Sequence, residues 1–191
     1  MIGCILIGVI KTKKVHFMNV QKKSTKKLVI TSLFSALCAV STMVAFPVGF
    51  GYVNAGDMIV LLGAFTLSPV QAIAAAGIGS AMADLLLGYA AYAPATLLIK
   101  ALMAMLACCL SLGLKRINVP APIAITLSAV CAELCMVFGY LAYEWTLLGY
   151  GSAALTSIPA NLTQAAFGCV GGVLFYYIAK NIKITDKLTA F

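Results

Sequence analysis

The stretch GIGSAMADLLLGYAAYAPATLLIK, from Gly77 to Lys100, is the most informative part of the chain because it places charged side chains inside apolar, helix-like sequence. Asp84 lies near the end of one apolar run and Lys100 lies within the next, with a turn before Pro94 between them. An ionisable side chain in hydrocarbon costs at least about 2.5–3.5 kcal/mol on insertion scales, so such groups usually face a bundle interior or a cavity. The stretch therefore predicts two membrane helices that hold a polar pocket.

The composition of the whole chain is that of a membrane protein. Of its 191 residues, 63% are hydrophobic and 9% are charged, whereas charged residues make up about 25% of soluble domains. Apolar runs recur at about 20 residues, the length that a membrane-spanning helix needs. The alternating ten-residue pattern of a membrane barrel is absent. The sequence predicts an all-α integral membrane protein.

Six apolar segments predict a bundle of six transmembrane helices. They cover residues 28–47, 57–68, 70–88, 94–114, 120–148 and 157–179, with the second and third segments the least distinct. The predicted organisation is a basic N-terminal segment over residues 1–27, a membrane domain over residues 28–180 and a tail over residues 181–191. One interpretation of residues 1–17 is an extension upstream of a start at Met18, because their apolar run of nine residues is too short to span.

The positive charges test this count, because lysine and arginine collect in cytoplasmic loops. Seven lysines precede the first segment, two basic residues lie between the fourth and fifth, and three lysines follow the sixth. The three connections on the other side contain none, and within the segments only Lys100 is basic. Both termini are therefore predicted to be cytoplasmic.

Under this orientation the polar side chains within the segments fall in the outer half of the membrane. Several share helix faces: Tyr92, Thr96 and Lys100 are four residues apart, and Glu133, Tyr140 and Glu144 follow at i, i+7 and i+11. We predict that one set of residues lines a substrate pocket open to the outside: Asn54, Asp84, Tyr89, Tyr92, Thr96, Lys100, Glu133, Tyr140, Glu144, Asn161 and Gln164.

Each of these groups also has a structural interpretation. Asp84 and Lys100 would form an ion pair between the third and fourth helices, and the tyrosines would lie at the membrane interface. Asn161 and Gln164 would join helices by hydrogen bonds, and Asp57, at the start of the second segment, would be a helix N-cap. These interpretations do not explain why the polar groups of four or five helices converge at one depth.

This convergence distinguishes between classes of membrane protein. A channel or proton relay needs polar residues through the whole membrane, and a secondary transporter usually holds its site near the midplane between related halves. The sequence has neither pattern and no internal repeat. It favours a binding protein that needs another component to move its ligand. The alternative is a stand-alone proton-coupled transporter of a small heterocycle, with Asp84 or Glu133 as the protonated group.

Other classes lack their motifs. The chain contains no Walker A sequence and no nucleophile–base set, so neither ATP hydrolysis by that mechanism nor enzymatic activity is predicted. The seven cysteines lie mostly in apolar runs and are interpreted as packing residues. No cofactor, metal site or nucleic-acid partner is expected. Four acids and one lysine among the membrane-associated groups favour a neutral or cationic ring compound over a polyanion.

Three stretches of the chain resemble a known family. They are YVNAGDMIVLLGAF, GIGSAMADLLLGYAAYAPATLLIKALMA and AELCMVFGYLAYEWTLLGYGSAALTSIPANLTQAAFG. Together they resemble the substrate-specific S components of energy-coupling factor (ECF) transporters, and most closely the branch labelled riboflavin-type or pyridoxine–hydroxymethylpyrimidine-type. The resemblance covers residues 27–180.

The resemblance implies a six-helix subunit in the cell membrane of a prokaryote that captures a vitamin or vitamin precursor from outside. It implies tyrosines that stack on a flat heterocycle, and partners comprising a transmembrane coupling protein and two cytoplasmic ATPases. Members of the family are thought to topple in the membrane to release the ligand. The family's docking motif, Ala-x-x-x-Ala in the first helix, corresponds here to Ser32 and Ala36 within SLFSAL.

Overall fold

The computed structural model describes residues 24–48 and 51–185. Within these ranges the chain forms a helical bundle with one short β-hairpin. The elements are α1 Ser24–Met43, β1 Ala45–Val48, β2 Gly51–Asn54, α2 Gly56–Thr66, α3 Pro69–Leu86, α4 Ala93–Arg116, α5 Ala121–Thr146, a 3-10 segment Gly151–Ser157 and α6 Ile158–Asn181.

The helical membrane bundle predicted from the apolar runs is confirmed, with two local corrections. Within residues 24–48 and 51–185, five helical stretches are long and apolar enough to cross a membrane, the last of them being the 3-10 segment together with α6. The second predicted span is the 11-residue helix α2, which is shorter than the roughly 20 residues that a span needs. The number of spans and the orientation of the termini stay predictions.

The second correction concerns the segment that follows α1. The first span was predicted to continue as helix to Pro47, but α1 ends at Met43. The chain then forms the antiparallel hairpin of β1 and β2, with Ala45 opposite Asn54 and Phe46 opposite Val53. Pro47 disfavours helix in the residue before it, which is a local reason for the early end. The hairpin brings Asn54 to the start of α2.

Proline and glycine set the bounds of the long helices. A proline occupies the first turn of each of α3, α4, α5 and α6, where its missing N–H breaks no helical hydrogen bond. Gly88 follows the end of α3 with a φ of 85°, a left-handed conformation that glycine adopts without steric cost. The turn after Gly88 then directs the chain back into α4.

Glycines allow the helices to approach closely. A methyl group at Gly77 would lie 2.8 Å from the backbone oxygen of Leu97, so α3 and α4 meet almost backbone to backbone. A methyl group at Gly172 of α6 would lie 2.7 Å from Cβ of Leu61 of α2. Small residues at helix contacts of this kind are typical of membrane bundles, in which packing rather than hydrophobic burial drives association.

The short helix α2 lies in the centre of the bundle. Its Val60 and Leu61 are almost completely buried, as are Met103 of α4 and Met136 of α5. Because longer helices surround it, α2 does not need to span the membrane to be shielded from water and lipid.

The basic residues at the ends of α4 and α6 lie close together. The Lys115 ammonium lies 5.9 Å from the ring centroid of Tyr176, which is one turn before Lys180 at the end of α6. Residues 1–23, which include the proposed extension over residues 1–17, lie outside the described residues. Residues 186–191 of the tail lie outside them as well.

Candidate functional site

A cavity of about 320 Å³ opens at the end of the bundle where the hairpin, the α3–α4 turn, the C-terminal part of α5 and the N-terminal part of α6 meet. Its volume is at the lower end of the range of about 300–1,000 Å³ for small-molecule sites. The residues that line it come from seven parts of the chain: Thr42, Asn54, Asp84, Tyr89, Tyr92, Thr96, Lys100, Met136, Tyr140, Glu144, Asn161 and Gln164.

This lining contains all the residues predicted for the pocket except Glu133, and two that were not predicted. Thr42 is a single polar residue near the end of α1, and nothing in the sequence separates it from a packing threonine. Met136 lies four residues before Tyr140, on the same face of α5, so the helical spacing was a usable signal. Whether these residues bind a ligand stays a prediction.

An ion pair between Lys100 of α4 and Asp57 of α2 forms the floor of the cavity. The two side chains are 5% and 1% exposed. The structural interpretation of Asp84 and Lys100 as an ion pair is therefore wrong, because Lys100 projects toward the central helix α2. The N-cap interpretation of Asp57 is wrong as well, since the N-cap of α2 is Ala55 and the Asp57 carboxylate binds Lys100 instead.

Gln164 of α6 connects this ion pair to the hairpin. Its side-chain nitrogen donates to Oδ2 of Asp57 at 2.9 Å, and its side-chain oxygen accepts from the backbone N–H of Asn54 at 3.2 Å. The Asn54 side chain in turn accepts from the backbone N–H of Gly56 at 2.9 Å. The floor is therefore a continuous network from α4 through α2 and α6 to β2. Hydrogen bonds to both oxygens of Asp57 compensate its burial.

The wall between α4 and α5 is built from an aromatic ring and two hydroxyls. Thr96 Oγ1 and the Tyr140 hydroxyl are 3.0 Å apart and share a hydrogen bond. The Lys100 ammonium lies 5.7 Å from the centroid of the Tyr140 ring, within the range of a cation–π contact. Tyr140 is consequently held from two sides while it faces the cavity.

The rim of the cavity joins the α3–α4 turn to the end of α5. The Tyr92 hydroxyl donates to Oε1 of Glu144 at 3.2 Å, and the Tyr143 hydroxyl donates to the backbone oxygen of Ala91. The rings of Tyr92 and Tyr143 pack edge to face with centroids 5.7 Å apart. Partial burial, and then the nearby Glu144 carboxylate, raise the pKa of the Tyr92 hydroxyl, so this group remains a donor at neutral pH.

The carboxyl groups at the cavity retain unused acceptor atoms. Oδ2 of Asp84 and Oε2 of Glu144 are buried and have no hydrogen-bond partner among the described residues. The nearby donors on Lys100, Gln164 and Tyr92 already bind other oxygens. Buried polar atoms are normally hydrogen-bonded, so these two free acceptors suit a ligand with N–H or O–H donors.

Glu133 lies in the bundle interior and does not line the cavity. It is 2% exposed, and neither carboxyl oxygen has a hydrogen-bond partner among the described residues. A methyl group at Gly168 would lie 3.1 Å from Cδ of Glu133 and 2.7 Å from Cβ of Asp57. Gly168 of α6 therefore makes room for both acidic side chains, and Glu133 stands beside the ion pair of the floor.

The residues proposed for partner docking lie away from the cavity. Ser32 and Ala36 are both exposed along α1. Ser35 and Cys38 lie on a different face of α1, which packs against α3 at Gly79. One face of α1 thus packs on the bundle, while Ser32 and Ala36 are free to contact another protein or lipid. Their role in docking stays a prediction.

Comparisons with known proteins agree with this architecture. The family model of the ECF-type riboflavin transporter S component matches residues 22–183. A Pyrococcus woesei protein, described as "Uncharacterized protein in gap 3'region", is 33% identical over 140 residues, which are 73% of this chain and 90% of that protein.

A solved structure, described as "Structure and mechanism of the S component of a bacterial ECF transporter", shares the fold, with a TM-score of 0.63. It is 21% identical to this chain, and the match covers 83% of this chain and 98% of the solved one. The match of the family model, which extends from the start of α1 to the end of α6, shows that this chain belongs to the family of ECF-type riboflavin transporter S components.

Proposed function

We propose that this chain captures a vitamin or vitamin precursor from outside the cell and presents it to an ATP-driven import complex. The observation that carries the proposal is the cavity, whose polar residues converge from α1, β2, α3, α4, α5 and α6 at one end of a bundle that also holds a large hydrophobic core. A pocket with apolar walls and a few placed polar groups is what a small ligand requires.

The polar atoms of the cavity indicate the kind of ligand. Buried acceptors on Asp84 and Glu144 favour a compound that donates hydrogen bonds, and the excess of acidic over basic groups disfavours a polyanion. Tyr89, Tyr92 and Tyr140 offer aromatic faces to a flat ring. Riboflavin is the first compound to test because the matched family is named for it, and pyridoxine and hydroxymethylpyrimidine follow.

Import requires partners, which we propose to be a transmembrane coupling protein and two cytoplasmic ATPases. The exposed Ser32 and Ala36 of α1 offer a surface of small residues on which another helix can pack closely. The proposed orientation directs the cavity outward and both termini to the cytoplasm, in agreement with the positive-inside rule. The chain then resides in the cell membrane with six helices, of which α2 is shielded by the others.

Ligand titration of the purified protein tests this proposal. Detergent-solubilised protein is titrated separately with riboflavin, pyridoxine and hydroxymethylpyrimidine, and binding is measured by calorimetry. We expect saturable binding of one compound, with loss of affinity in Tyr140→Ala. A matched control, Ser128→Ala, removes a hydroxyl that binds only the backbone oxygen of Ala124 in its own helix, and it should bind like the wild type. Absence of binding by all three compounds would refute the proposed substrate class.

A further inference from the structure

Glu133 is a buried acid that the proposed ligand site does not use. Its side chain is 2% exposed and lies among α2, α4, α5 and α6, beneath the cavity floor. Both of its oxygens are buried without a hydrogen-bond partner among the described residues. An ionised carboxylate in this position would be a buried charge without hydrogen bonds, which proteins rarely tolerate.

The neighbouring lysine does not neutralise Glu133, because it is already paired. Lys100 donates to Oδ1 of Asp57, and Gln164 donates to Oδ2. The pair of one ammonium and one carboxylate is neutral as it stands. Ionised Glu133 would add a second negative charge beside Asp57, across the space at Gly168. When two carboxyl groups lie this close together, one of them tends to retain its proton.

The surrounding titratable groups do not change this balance. In the part of the chain that the structure describes, the titratable side chains around Glu133 are Cys38 of α1, Asp57 of α2, Asp84 of α3, Lys100 of α4, Tyr140 of α5 and Cys169 of α6. Lys100 is the only base among them, and none donates a hydrogen bond to Glu133. Both Asp57 oxygens accept hydrogen bonds, from Lys100 and Gln164, whereas neither Glu133 oxygen has a partner among the described residues, so the geometry assigns the proton to Glu133.

We propose that Glu133 is a proton-binding site directly beneath the cavity, neutral at neutral pH, and that its proton keeps Lys100 on Asp57. Removal of the proton creates a second acceptor for the Lys100 ammonium. Because Lys100 also lines the cavity, the position of its ammonium group relative to a ligand in the cavity then depends on pH. The proposal concerns the protein without ligand and does not depend on the identity of the substrate.

The chain offers a direct test because it contains only two glutamates, Glu133 and Glu144. Protein made by cell-free synthesis with glutamate labelled with ¹³C at the δ-carbon gives two carboxyl resonances. In Glu144→Gln only the resonance of Glu133 remains. We expect this resonance at neutral pH upfield, at the position of a protonated acid, moving to the carboxylate position only in alkaline buffer. Glu133→Gln, introduced as a single change, should remove the upfield resonance. This loss assigns the resonance to Glu133 independently of Glu144→Gln.

Two results would overturn the proposal. The Glu133 resonance at the carboxylate position at neutral pH would show that the group is ionised. A carboxylate resonance that shifts when sodium in the buffer is replaced by choline would assign the compensating charge to a sodium ion instead of a proton. Neither result bears on ligand binding, so both are distinguishable from failure of the proposed function.

Discussion

Lys100 of α4 and Asp57 of α2 are separated by 43 positions in the sequence and form an ion pair inside the bundle, with side chains 5% and 1% exposed. Removal of one partner from a buried pair leaves an uncompensated charge and typically costs about 3–5 kcal/mol. Removal of both charges can be nearly neutral. The pair therefore fixes the position of α4 against the central helix α2.

We expect Lys100→Met to lower the thermal stability of the detergent-solubilised protein more than Asp57→Asn. In Asp57→Asn the released ammonium can pair with Glu133, whereas in Lys100→Met the Asp57 carboxylate retains only Gln164. The double variant should recover most of the stability lost in Lys100→Met. Equal losses that add in the double variant, measured by thermal unfolding, would contradict this account of the pair.

A second prediction concerns the close approach at Gly168. A methyl group there would lie 2.7 Å from Cβ of Asp57 and would also collide with Glu133, and overpacking of a core typically costs about 1–3 kcal/mol. Gly168→Ala should therefore lower the unfolding temperature. Gly113→Ala is the matched control, because it lies in an exposed helical turn with nothing within 4 Å and alanine favours helix over glycine by about 1 kcal/mol. Equal effects at the two positions would rule out the proposed crowding.

A third prediction concerns the free acceptors of the cavity. Hydrogen bonds to charged groups contribute about 1.5–3 kcal/mol, which corresponds to a factor of about ten or more in affinity. Asp84→Asn and Glu144→Gln should each weaken binding of the compound identified by titration to this extent. Circular dichroism checks that the helical content is retained. Unchanged affinity in both variants would remove these two carboxylates from the site.

A fourth prediction separates partner docking from ligand binding. Ala36→Trp places a bulky ring on the exposed face of α1 and should abolish co-purification with the proposed coupling protein and ATPases, while ligand affinity is retained. Leu98→Trp places the same ring at another exposed position, 61% accessible on α4, and should leave co-purification intact. Loss of the complex in both variants, or in neither, would contradict docking through α1.

The helices and their packing faces were predictable because local sequence encodes them. Apolar length predicted the long helices, Pro94 and Pro120 marked the starts of α4 and α5, and four-residue spacings brought Tyr92, Thr96 and Lys100 to one face of a helix. The β-hairpin was not predicted, because its apolar residues extend the pattern of α1 and the sequence shows little strand alternation.

The structural interpretation paired Lys100 with the wrong acid, because helical periodicity does not determine how one helix is rotated against another. Asp84 is nearer to Lys100 in the sequence, yet tertiary packing places the Lys100 ammonium on Asp57 of the central helix. Glu133 shares the face of Tyr140 and Glu144 by spacing, but it lies deeper along α5, where Gly168 makes room for it. The depth of a side chain relative to neighbouring helices is a tertiary property.

The most direct test of the central claim is native mass spectrometry of the protein purified from cells grown in rich medium. The account predicts a retained small molecule with the mass of a vitamin-like heterocycle, bound one to one and absent from Tyr140→Ala prepared in parallel. If the retained molecule were a phosphorylated polyanion, or if it persisted equally in Tyr140→Ala, the assignment of this cavity to capture of a neutral or cationic heterocycle would be contradicted.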